Sequence, residues 1–181
     1  MNKIDFYSKY YDLLYRKLCE VDHNDLYEVA SIIRHSRDKK GKIIIIGNGG
    51  SAAIASHVSI DLLKAANITA INFNESSLLT CFSNDYGYEH WVERAIECYA
   101  NSNDVVILIS SSGESQNIIN GAKKVNSLNI PLIALSGFSK NNSLNGMGAV
   151  NLWIDSSGYN IVESVHQIWL LSIVDYLIEN K

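Results

Sequence analysis

Two loops in this sequence carry residue types suited to holding an anion. The first, Gly47-Asn48-Gly49-Gly50-Ser51, follows the β-branched run Lys42 to Ile46 and precedes a helical stretch. Its three glycines let the backbone turn sharply and bring N–H groups close to a negative group. The helix behind them adds unpaired amides and the positive end of its dipole. Ser51 stands where it can cap that helix or bind the ligand. This loop does not by itself name the anion. Gly47-x-Gly49-x-x-Ala52 also satisfies the dinucleotide-binding fingerprint, and Glu75 lies near the end of the next strand, where a ribose-binding acid would stand. That rival reading is a nucleotide-binding oxidoreductase. The second loop, Ser110-Ser111-Ser112-Gly113-Glu114-Ser115, decides between them. Its four hydroxyls can surround a phosphate without burying a counter-charge, which a phosphosugar site needs and a dinucleotide site does not. A flexible serine linker does not sit between a β-branched strand and an amphipathic helix.

The elements that must position these loops follow from hydrophobic spacing. Residues from about Asp5 to Lys39 have apolar positions three and four apart and read as helix, broken near Val21–Asp25 with Asn24 or Asp25 capping the second half. Strands are expected at Lys42–Ile46, Thr69–Phe73, Asp104–Ile109, Pro131–Leu135 and Val150–Ile154. Helices are expected at Ser51–Ala65, Ser76–Phe82, Glu89–Tyr99, Ser115–Leu128 and Ile161–Glu179. Apolar strands separated by helical stretches imply right-handed crossovers. The predicted fold is therefore α/β: a doubly wound, five-stranded parallel sheet of flavodoxin-like type, flanked by helices and preceded by a helical extension. One domain is expected over 1–181, with 1–40 used in oligomerisation and 41–181 forming the ligand-binding core. In such sheets ligands bind beyond the carboxyl ends of the strands. The loops starting at Gly47, Ser110 and Ser136 all leave from such ends.

Composition narrows the partners. A net charge of −4 and the lack of any basic run argue against direct nucleic-acid binding. No apolar run approaches the roughly 20 residues of a membrane span, and no secretory leader is visible. Cys19, Cys81 and Cys98 form no CxxC, so they are read as buried or idle thiols in a reducing, cytoplasmic setting.

Four motifs in order, GNGGSAA (Gly47–Ala53), FSNDYGYE (Phe82–Glu89), ISSSGESQN (Ile109–Asn117) and LIALSG (Leu132–Gly137), resemble those of the sugar isomerase (SIS) family, in its phosphoheptose isomerase branch. The likeness runs from about residue 30 to the C-terminus. It implies an aldose–ketose isomerase interconverting sedoheptulose 7-phosphate and a heptose 7-phosphate for surface glycans (lipopolysaccharide or capsule), assembled as a homotetramer with sites at subunit interfaces. By the same resemblance, Ser51, Ser110, Ser112 and Ser115 bind phosphate and sugar, with Ser111, Gly49 and Gly50 beside them. Asn48 and Asp85 contact the sugar chain. Tyr86 and Tyr88 are expected to pack at the subunit interface.

The family moves a proton through an enediol using a Glu and a His, and many members bind zinc there. In this chain the family's zinc-binding His is retained as His57, its Glu falls on Asp61, its Gln on Glu163 and its catalytic His on Leu171. His57 and Asp61, four apart, share a helix face. The resemblance thus implies a zinc site of His57, Asp61 and Glu163. The catalytic candidates are Asp61, Glu163 and His166, of which His166 also has a structural reading. The alternative is a non-catalytic SIS module that senses a phosphosugar or bridges proteins. Oligomerisation is further expected from Tyr7, Tyr10, Tyr11 and Tyr15 near the N-terminus, and from Trp169, Leu170, Ile173 and Leu177 on the last helix.

Overall fold

The computed structural model describes residues 3–180. Met1, Asn2 and Lys181, the outermost residues of the expected domain, lie outside the described residues. The elements run α1 (Lys3–Leu18), α2 (His23–Asp38), β1 (Ile43–Gly47), α3 (Gly50–Lys64), β2 (Ala70–Ile71), α4 (Ser76–Tyr86), α5 (Trp91–Tyr99), β3 (Val105–Ser110), α6 (Gln116–Ser127), β4 (Leu132–Ser136), β5 (Val150–Trp153) and α7 (Tyr159–Glu179). The strands form one sheet in the order β2-β1-β3-β4-β5, every pair parallel. This is the expected doubly wound α/β fold.

Alternation along β1 shows why its run is apolar on both faces. Ile43 and Ile45 join the core beneath α2, α3 and α7, while Ile44 and Ile46 join the opposite core beneath α5 and α6. A strand buried on both sides has no solvent face to mark with polar residues. The chain reverses direction across the sheet between β1 and β3, which pair side by side with Gly47 opposite Ile109. The loops leaving these strands therefore meet at the topological switch point, where open α/β sheets bind ligands.

Several boundaries differ from expectation. The second helix is capped by Asp22, whose carboxylate accepts from the Asn24 amide at 2.9 Å, rather than by Asn24 or Asp25. The expected strand Thr69–Phe73 shrinks to two residues. Asn72 accepts from the Asn74 amide and donates to Ser59, which turns the chain out of the sheet. Of the reading of the three cysteines as buried or idle thiols, burial does not hold: all three are exposed and free.

The last helix also departs from its expected role. Trp169, Leu170, Ile173 and Leu177 are not an outer face but core, packed within the chain beside Tyr10, Leu14 and Leu18 of α1. The Trp169 indole donates to the Leu18 carbonyl at 3.0 Å. By length and composition α7 could cross a bilayer, yet half of its most apolar stretch is buried inside the fold. The large apolar side chains left exposed include Tyr7, Tyr11 and Tyr15 on α1 and Ile60 and Leu63 on α3.

Candidate active site

Two helix N-termini face one another across the switch point, and neither is capped by its own residue. Gly49 at the N-cap of α3 has no side chain to offer, and Ser115 at the N-cap of α6 makes no side-chain capping bond. The first amides of both helices thus lack intrahelical acceptors, and residues of both helix starts line one cleft. Gly49 holds φ at +54°, a conformation costly for residues with a Cβ. A cleft of about 110 Å³ lies there, lined by Asn48, Ser51, Ser110, Ser111, Ser112, Ser115, Tyr159 and Glu163 together with Ile109.

Hydrogen bonding sorts the four serines of the second loop. Ser110 donates to Ser115 Oγ at 3.2 Å, and Ser111 donates to Glu163 Oε1 at 3.4 Å. Ser112 accepts from the Glu114 amide at 3.2 Å. The hydroxyl protons of Ser112 and Ser115 therefore remain available to an incoming anion. The loop is braced from behind. Asn142, nearly fully buried, accepts from the amides of Leu144 and Asn145 and donates to Ser136 and to the carbonyls of Gly137 and Ser139. Glu114 accepts from the hydroxyl and amide of Ser143, and these bonds hold its carboxyl below the usual carboxylate range.

Asn48 is fixed by a reciprocal amide pair. Its Nδ2 donates to Asn117 Oδ1 at 3.0 Å, and its Oδ1 accepts from Asn117 Nδ2 at 2.9 Å and from the Tyr88 hydroxyl at 3.0 Å. Asn117 and Tyr88 tie the first loop to α6 and to the turn after α4. Sequence reasoning did not assign either to the site. For Asn117 a signal existed, a polar residue on the inward face of α6 one turn from the serines; it is 2% exposed. Tyr88 was expected only at a subunit interface. Tyr159, whose ring packs on Phe138 with centroids 4.9 Å apart, was also missed.

Among the described residues, Glu163 is the only carboxylate lining the cleft, and no Lys, Arg or His lines it. Its carboxylate lies against the first turn of α3. A Cβ on Gly50 would stand 2.1 Å from Glu163 Oε2. A side chain at position 50 would therefore have to displace the end of Glu163.

The other residues expected here are placed elsewhere. Asp85 is exposed on α4 and bonded to Asn84 and Cys81, outside the cleft lining. His57 donates from Nε2 to Asp61 at 3.2 Å and accepts at Nδ1 from the Gln167 amide at 3.1 Å. Both ring nitrogens are engaged, and Glu163 turns instead toward Ser111 and Gly50. Among the described residues, no group of three His, Cys, Asp or Glu side chains is placed to hold a metal ion. The expected zinc set of His57, Asp61 and Glu163 is therefore not assembled within the chain, and two ligands fall short of the three protein ligands of an open zinc site.

His166 is wholly buried, with Nε2 donating to the Ser136 carbonyl at 3.1 Å and Nδ1 without a partner. Burial pushes its pKa down to about 4, against the smaller opposing effect of that bond. It stays neutral in the core and is not among the side chains lining the cleft. Glu75, the acid that the dinucleotide reading needed, is the N-cap of α4. It accepts from the amides of Ser77 and Leu78, which lower its pKa.

The model of the SIS domain family matches residues 6–137. A phosphoheptose isomerase of Campylobacter jejuni is 33% identical over 154 residues, covering 81% of this chain and 82% of that protein. One of Cytophaga hutchinsonii is 34% identical over 123 residues, 65% of this chain and 64% of its own length. In several of these matches the chain spans slightly less than two thirds of its relative. Among solved structures, a phosphoheptose isomerase from Francisella tularensis superposes with a TM-score of 0.90 over the whole of both chains at 22% identity, a likeness of fold.

Proposed function

The chain belongs to the SIS domain family, and from that premise we propose that it is an aldose–ketose isomerase acting on sedoheptulose 7-phosphate. The observation that carries this reading is the pair of uncapped helix N-termini flanking a serine-lined cleft at the β1/β3 switch point. Its relatives over most of the chain bear the name phosphoheptose isomerase.

In this proposal the phosphate sits at the N-terminus of α6, held by amide donors and by the hydroxyls of Ser112 and Ser115. The sugar runs from there toward Asn48, Ser51 and the first turn of α3. The cleft is smaller than the roughly 300 Å³ at which pockets enclose ligands of this size. A second wall is needed, and a neighbouring subunit would supply it. The exposed Tyr7, Tyr11, Tyr15, Ile60 and Leu63 support self-association as a tetramer, which light scattering tests. A monomer mass at micromolar concentration would refute it. Asp85, which does not line the cleft of its own chain, would reach a sugar across such an interface. The product would serve surface-glycan synthesis. Free exposed thiols fit a reducing cytoplasm.

A specific observation keeps the non-catalytic reading in play: Leu171 stands where the family has its catalytic histidine, and it packs against the core. The deciding experiment is incubation of the purified protein with sedoheptulose 7-phosphate, followed by NMR, with calorimetry on the same sample. Appearance of the aldose is expected. Binding without turnover would replace the isomerase by a phosphosugar-sensing module.

A further inference from the structure

Resting on the isomerase reading, we infer that Glu163 is the base that carries the proton between C1 and C2 of the sugar, and that the N-terminus of α3 supports the enediolate without a metal ion. The family resemblance distributes this work over a zinc site and a histidine. Here His57 is bonded to both Asp61 and Gln167, Leu171 is apolar, and His166 is sealed in the core. Glu163 alone among the expected catalytic groups lines the cleft.

The two helix N-termini divide two negative groups between them. The α6 terminus, with the uncommitted hydroxyls of Ser112 and Ser115, suits the phosphate. The α3 terminus already faces the Glu163 carboxylate, so a phosphate placed there would meet a like charge. A ligand bound phosphate-first at α6 therefore presents its far end, C1 and C2, to Glu163. Ser111, donating to Oε1, orients the carboxylate.

The chemistry balances with no further reactant. Glu163 removes a proton from C1. The C–H electron pair becomes the C1–C2 double bond, and the C2 carbonyl pair moves onto O2. The first turn of α3, which Glu163 faces, would supply preorganised amide donors to this oxyanion. The O1 proton then passes to O2, the C1 carbonyl forms, and the Glu163 carboxylic acid returns its proton to C2. A ketose has become an aldose.

The test is deuterium incorporation at C1 of sedoheptulose 7-phosphate in D₂O, followed by NMR, alongside calorimetric affinity for the same compound and metal content by mass spectrometry. Wild type stripped by chelator to less than one tenth metal per chain should exchange at its original rate, and added zinc should change that rate by less than twofold. Glu163→Gln should lose exchange by about 10²–10⁴-fold, the range of general acid–base catalysis. It should bind the sugar phosphate as tightly or more tightly, because a like charge has gone. Glu163→Asp should bind normally and retain part of the exchange. Exchange that disappears on chelation and returns with zinc would overturn the inference while leaving the isomerase reading intact. So would a Glu163→Gln protein that still exchanges, or one that loses binding together with exchange while Glu163→Asp also fails to bind. A wild type that binds but neither exchanges nor turns over would defeat the isomerase reading itself.

Discussion

Glu163, His166 and Gln167 fall within five residues of α7, yet they meet three different environments. Glu163 reaches the cleft and leaves one oxygen without a protein donor. His166, less than one turn on, points into the core and holds a carbonyl of β4. Gln167 completes a surface cluster with His57 and Asp61 in which both imidazole nitrogens are bonded. Polarity alone therefore does not mark a functional residue on this helix. What separates the three is whether the neighbours consume the side chain's hydrogen-bonding capacity. At the cleft they do not, because the opposing helix ends offer donors and too few acceptors. That imbalance is what a bound anion would relieve.

Closing the space that Glu163 occupies should have the strongest consequence for turnover. Gly50→Ala places a Cβ within 2.1 Å of its carboxylate. The side chain must then swing away or the α3 terminus must shift. The clash is with the far end of a flexible side chain, so stability should change little, whereas a displacement on the order of 1 Å at reacting groups costs about a hundredfold in turnover. Thermal unfolding and turnover of sedoheptulose 7-phosphate read the two effects separately. Wild-type turnover in Gly50→Ala would mean that the contact between Glu163 and α3 has no part in the chemistry.

The core member of the trio makes a different prediction, about acid stability. The buried His166 imidazole has its pKa lowered to about 4, whereas in the unfolded chain it titrates near 6.5. Between those values the unfolded state binds a proton that the folded state refuses. Stability from this residue is complete above about pH 6.5 and falls as the pH drops toward 4, by at most about 1.4 kcal/mol per pH unit. Unfolding free energies at pH 7, 6 and 5 should therefore drop more steeply for wild type than for His166→Gln, whatever the variant's absolute stability. Parallel slopes would show that the histidine is solvated after all.

The sheet was legible because buried parallel strands are apolar throughout. Ile43–Ile46 and Val105–Ile109 announce themselves by composition, and the glycine and serine loops by their place after them. The cleft's lining was legible for the same reason: Asn48, Ser51 and the serines 110–112 and 115 are all there. What spacing could not reveal was direction. Residues at 163, 166 and 167 look alike as polar positions on an apolar helix. Which one faces the cleft depends on how α7 is rotated against α3 and β4. Equally, the apolar residues at 169, 170, 173 and 177 fit an exposed interface or a core stripe until α1 is seen to cover them. Tyr88 joins the site through a contact spanning 40 residues, beyond the reach of local pattern, whereas the inward polar position of Asn117 on α6 was a signal left unread.

The smallest of the expected effects tests the open side of the comparison directly. If unspent hydrogen-bonding capacity defines the site, the serines of the second loop should differ in ways their identical chemistry does not suggest. Ser112 uses its oxygen to accept from the Glu114 amide and keeps its proton free, whereas Ser110 has donated its proton to Ser115. Ser112→Ala therefore removes a donor that an anion would use. It leaves behind only a backbone amide beside an exposed residue, which water can serve, so stability should scarcely change. The affinity for inorganic phosphate and for sedoheptulose 7-phosphate should fall about tenfold, corresponding to about 1–2 kcal/mol for a hydrogen bond to a charged group. Ser110→Ala should weaken phosphate binding less, because Ser115 loses only a neighbour's donated bond and keeps its own proton. Calorimetry on the two single variants under identical salt reads the difference. Equal losses would mean that the loop reorganises on binding and that the free-state bonding pattern does not assign the phosphate donors. A larger loss for Ser110→Ala would place the anion deeper toward β3 than the α6 terminus, and with it the sugar's reacting end nearer to Glu163.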